Sequence, residues 1–142
     1  MTRKKRIFTD QGMDNEIEVR MLFEELTGKI IKAFYKVYNT LGYGFLEKVY
    51  ANAIAFELQN LGLVVLQEQP ITVYYEGREI GVYRTDLIVE SKVIVEIKAV
   101  NALIDAHKNQ TINYLKATRM EVGLVLNFGP SPEVKRVILS SK

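Results

Sequence analysis

TDLIVESKVIVEIKA, residues 85–99, decides the fold. Two β-branched, aliphatic runs, residues 79–89 and 93–100, flank the polar joint Glu90, Ser91 and Lys92, and so short a joint between two such runs predicts a hairpin. Cross-strand partners lie at equal distances from the turn centre, so a turn centred on Ser91 sets Asp86 opposite Glu96. Side chains alternate along a strand, which puts Glu96 and Lys98 on one face and Val95 and Ile97 on the other. Asp86, Glu96 and Lys98 then share a face. A turn different by one residue would set Asp86 against Ile97 instead.

Towards the N-terminus, residues 63–67 and 71–75 read as two more strands, bounded by Pro70 and by Glu76-Gly77. Before them, Leu26, Ile30, Ala33, Phe34, Val37 and Leu41 recur at helical spacing over residues 23–41, and Gly42 and Gly44 end that helix. Leu46, Val49, Tyr50, Ala53, Ile54, Phe56 and Leu61 mark a second helix stopped by Gly62, so the two form a helical hairpin. On the C-terminal side a third helix carries Ala106, Gln110, Asn113 and Ala117 on one side and Ile112, Leu115 and Lys116 near another. The nearly continuous apolar run 122–128 predicts a strand covered on both faces, closed by Gly129-Pro130 and Pro132, and residues 134–139 an edge strand. The expected class is α/β, one mixed sheet flanked by helices with an N-terminal helical hairpin. Residues 1–20 are expected as a flexible basic arm and 21–142 as a single domain.

The chain has 142 residues, 48% of them hydrophobic, enough for one sizeable core. With no cysteine, disulfides, thiolate zinc sites and cysteine nucleophiles are excluded, and a cytoplasmic location is the simplest expectation. The basic start MTRKKRIFTD has no apolar stretch behind it, and no later run suits a membrane span. A net charge of +2 is too small to name a nucleic-acid partner.

Two carboxylates facing each other across a sheet repel, so the pair is tolerated best with a cation between them. Magnesium prefers oxygen ligands and takes one or two protein carboxylates, which Asp86 and Glu96 supply; manganese is the alternative ion. Lys98 beside them could orient or deprotonate an attacking water and offset developing charge. Spacing alone equally allows a solvated face with ordinary cross-strand ion pairs.

The same segment resembles the signature of the PD-(D/E)XK nuclease superfamily, with Asp86 as its first acid and Glu96-Ile97-Lys98 as its ExK, although Arg84-Thr85 precede Asp86 in place of a proline. GFLEKVY, residues 44–50, resembles the motif of the GxxExxY family within it, and QTINYL, residues 110–115, agrees. The likeness runs from about Leu26 to Gly129 and departs from the family at Tyr38 and Tyr43, where many relatives carry histidine and proline. It implies a restriction-endonuclease-like core and a magnesium-dependent nuclease acting on DNA or RNA, with metal ligands Asp86 and Glu96, Lys98 as base or electrostatic stabiliser, Glu47 as an auxiliary acid and metal ligand for a second ion or a bound water, and Gln110 as a polar group aimed at the site. Glu47 read by itself is an ordinary acid at a helix start, and Gln110 an exposed glutamine. The rival functions are an inactive nuclease-fold module that binds nucleic acid and an assembly or regulatory protein; a homodimer would enlarge the surface of so small a core. His107 reads as a capping or surface residue, and Tyr74, Tyr75 and Tyr83 as strand packing.

Overall fold

The structure, a computed structural model, describes residues 8–139. Its elements in chain order are α1 (Phe8–Leu41), α2 (Glu47–Asn60), β1 (Val65–Tyr75), β2 (Arg78–Val89), β3 (Val93–Lys98), α3 (Asp105–Thr118), β4 (Val122–Phe128) and β5 (Pro132–Ile138). One five-stranded sheet has the order β1-β2-β3-β4-β5. β3 and β4 run parallel because α3 carries the chain back between them, and the other neighbours are antiparallel. No helix among the described residues is long and apolar enough to cross a membrane.

Alternation divides the core. Leu87, Val89, Val93, Val95, Ile97, Val122, Leu124, Leu126 and Phe128 face α1 and α2, whereas Ile88, Ile94, Val125 and Val137 face the other side, with Leu115 of α3. All of β4 is buried, as its unbroken apolar run requires. α3 lies close to β4 at Gly123, where a Cβ would stand 2.7 Å from the Thr111 methyl.

Several expectations need correction. Helical backbone begins at Phe8, ahead of the start at residue 23 that apolar spacing marks, so residues 8–20 of the expected arm are helical; this stretch has no proline, and a nucleated helix gains one hydrogen bond for each residue added. The rest of the expected arm, residues 1–7, lies outside the described residues. The two strands expected at 63–67 and 71–75 are one, β1, which runs through Pro70. β1 is an edge strand, so the missing proline N–H leaves no ladder bond broken on its open side. In α2 the buried face is Tyr50, Ala51, Ile54, Ala55 and Leu58, while Leu46, Val49, Phe56 and Leu61 are exposed. The stripe read from Leu46 and Val49 lies to one side of this face, which Ala51, Ala55 and Leu58 complete with Tyr50 and Ile54. In α3 the buried residues are Thr111 and Leu115, and Ala106, Asn113 and Ala117 face solvent.

Candidate metal centre

The β2–β3 hairpin has the register of a turn centred on Ser91: Val89 pairs with Val93, Ile88 with Ile94 and Leu87 with Val95. The next rung would oppose Asp86 and Glu96, and there the paired ladder ends. The Ile97 N–H donates instead to Asp86 Oδ2 at 2.7 Å, so the side chain replaces a backbone acceptor where the strands part.

A second irregularity meets this fork. Along β1–β2 the pairs run Gln67–Leu87 and then Gln69–Thr85, leaving Glu68 and Asp86 opposed but unpaired, with Glu68 at φ +54. Facing changes there: Ile88 is on the α3 side at an even position, yet Ile71 and Tyr83 are on that side at odd ones. Strict alternation holds for β3 and fails in β2 at Asp86.

The break turns Tyr83 and Thr85 towards Glu96. The Tyr83 hydroxyl donates to Glu96 Oε1 at 2.7 Å and the Thr85 hydroxyl to Oε2 at 2.9 Å. Glu96 is 1% exposed and Thr85 wholly buried. Tyr83 stacks on Tyr114 of α3 with ring centroids 3.8 Å apart. Lys98 Nζ donates to Gln110 Oε1 at 3.1 Å, so α3 also holds the ammonium. Asp86, Glu96, Lys98 and Gln110 thus come together at one end of the sheet.

Burial pushes the Glu96 carboxyl up to about 7, the Asp86 charge adds to this, and the Tyr83 and Thr85 hydroxyls and Lys98 only partly oppose it. Asp86 is likewise raised by burial, against the Ile97 N–H and the Lys98 charge. Burial and the Glu96 carboxylate push the Tyr83 phenol up, so Tyr83 remains a protonated donor. Once Glu96 ionises, above about pH 7, two carboxylates face one ammonium and leave an excess negative charge beside a buried group.

Those donors suit a hard divalent cation. Each hydroxyl takes one lone pair of a Glu96 oxygen and leaves others, and two carboxylates with water complete an octahedron. Glu47 is exposed at the first position of α2, and among the described residues no three His, Cys, Asp or Glu side chains group as a metal cage. Its neighbour Lys48 pairs with Glu68, whose charge in turn bears on Asp86, so the start of α2 borders the fork.

The loop from β3 to α3 is fixed from beneath. Buried Asn127 takes over the Val100 backbone, accepting its N–H at 2.9 Å and donating to its carbonyl at 3.0 Å. Glu133 accepts from Asn127 and from the Leu103 N–H, both at 2.9 Å. His107 caps α3, its Nδ1 accepting the Ile104 N–H at 3.0 Å. Sequence reasoning missed Thr85, Tyr114, Asn127 and Glu133 and took Tyr83 for packing. Only the buried Asn in an otherwise apolar strand offered a signal.

The sequence pattern of the PD-(D/E)XK nuclease superfamily matches residues 24–137. No curated protein matches the chain. Among solved structures, that of SSO0001 is 20% identical, with a TM-score of 0.49, over 67% of this chain and 52% of that one. This chain therefore spans about half the length of that protein.

Proposed function

Because the chain belongs to the PD-(D/E)XK nuclease superfamily and carries its restriction-endonuclease-like fold, we propose that it is a cytoplasmic, magnesium- or manganese-dependent nuclease of the GxxExxY type that hydrolyses phosphodiester bonds of DNA or RNA. The observation that carries this is Glu96, a 1% exposed carboxylate set beside Asp86 and alongside Lys98. A bound divalent ion would supply Lewis acidity towards the phosphodiester and a water of lowered pKa. Asp86 and Glu96 would hold that ion. Lys98 would orient the attacking water and offset charge developing on the phosphate, and Gln110 keeps its ammonium in place. Glu47 serves as an outer acid that approaches with substrate or through water. Pairing of two copies would widen the recognition surface.

A second reading, a nucleic-acid-binding module without turnover, is favoured by the enclosure of Glu96, which is 1% exposed and whose two oxygens already accept the Tyr83 and Thr85 hydroxyls. A cleavage screen decides between them, using single- and double-stranded DNA and RNA with magnesium and manganese. The nuclease reading expects metal-dependent cleavage that Lys98→Ala lowers by roughly 10²–10³-fold, the usual loss of one electrostatic stabiliser. Salt-sensitive binding without cleavage would select the module, and cleavage undiminished in Lys98→Ala would belong to a contaminant.

A further inference from the structure

The two hydroxyls on Glu96 come from positions two apart on β2, a strand that must change its facing at Asp86 to present them. Tyr83 is itself held on two sides. It stacks on Tyr114, within 15° of parallel, and pairs across the strands with buried Ile71. Its oxygen therefore stands on rigid supports from β1 and α3. The terminal torsion of a glutamate is broad, and a carboxylate without these donors would rotate within its pocket.

We propose that Tyr83 is a positioning residue for Glu96: with Thr85, its hydroxyl fixes the carboxylate rotamer and so sets how tightly, and for which ion, this site grips a divalent cation. The inference rests on the metal-centre reading above. Donors bound to ligating carboxylates govern metal affinity at other sites by orienting the ligand. The consequence for selectivity follows from ion size. Magnesium demands near-ideal octahedral geometry, whereas calcium accepts variable distances and coordination numbers, so loosening one carboxylate penalises magnesium more than calcium.

Calorimetric binding of magnesium and of calcium to the full chain tests this, without substrate and so without reference to cleavage. Tyr83→Phe keeps the ring, its stack and its packing while removing one oxygen. The expected result is magnesium affinity weakened by roughly 10–100-fold, with a smaller loss for calcium. Thr85→Val should act in the same direction, and Thr85→Ser, which keeps the donor, should bind as wild type does. Unchanged affinities in Tyr83→Phe, with wild-type binding intact, would overturn the positioning role and leave the metal centre standing. Equal losses for both ions together with a strongly lowered metal-free melting temperature would reduce Tyr83 to a structural support and also overturn it. A wild-type protein that binds neither ion would remove the metal-centre reading, and this inference with it.

Discussion

Two tyrosines with bonded hydroxyls occupy opposite faces of the sheet, and their partners give them different work. Tyr50 is wholly buried in α2, stacked on Phe128 with centroids 4.0 Å apart. Its hydroxyl donates to the Gly42 carbonyl at 2.7 Å and accepts the Phe45 N–H at 3.1 Å. It thereby closes the turn between α1 and α2, where Gly42 and Gly44 adopt φ values of +70 and +114 that side-chain-bearing residues rarely take. Tyr83 binds a carboxylate instead, and that carboxylate is itself held far above its usual proton affinity. A hydroxyl bonded to backbone secures a fold. A hydroxyl bonded to a buried, raised carboxylate lowers that group's proton affinity and, in the proposed metal centre, would hold its rotamer.

The comparison fails most visibly if Tyr50 proves dispensable. Tyr50→Ala should destabilise by about 3–5 kcal/mol, as for other buried aromatic truncations, and leave magnesium affinity of the folded fraction unchanged. Chemical denaturation beside metal binding checks this; a loss of affinity without a loss of stability would reverse the assignment.

A smaller effect concerns pH. Glu96 has a folded pKa raised from 4.5 to about 7. A raised carboxyl favours the folded state while protonated, so its contribution is complete below about pH 4.5 and is lost as pH rises through about 7. Metal-free protein should therefore lose stability as pH rises between those limits, with Asp86, also raised, titrating as part of the same pair. Glu96→Gln should flatten the profile over that range. Denaturation midpoints measured at steps of pH would show it, and an identical slope in Glu96→Gln would place the titration elsewhere.

The smallest effect is on the metal-free stability of Tyr83→Phe. One hydrogen bond to a buried carboxylate is at stake, worth about 2 kcal/mol, so its melting temperature should fall modestly. That modest loss, set against the large effect of Tyr50→Ala, would separate the two tyrosines further.

The fold was legible where side-chain pattern alone decides it. The hairpin register followed from the Glu90-Ser91-Lys92 joint, and the buried β4 from its apolar run. What alternation could not supply was the break at Glu68 and Asp86, since a positive φ at a glutamate has no signature in residue type. With strict alternation Tyr83 and Thr85 fall on the wrong side of β2, so the hydroxyls that hold Glu96 were hidden. Pro70 misled in the opposite sense, because only the strand order reveals that β1 lies at an edge. In α2 several apolar residues, Val49, Ala53 and Phe56 among them, compete with Ala51, Ala55 and Leu58 for the inward face, so spacing alone did not select the buried set. Asp86, Glu96, Lys98 and Gln110 were named from the sequence, and the structure brings them to one end of the sheet.

The central claim is that Asp86 and Glu96 hold their excess negative charge for a divalent cation. The most direct measurement is thermal unfolding at pH 8 with and without magnesium, for wild type and Glu96→Gln. Wild type should gain about 2.7 kcal/mol at a hundred times the dissociation constant, and Glu96→Gln should gain little. Superimposable wild-type curves at every magnesium concentration would contradict it.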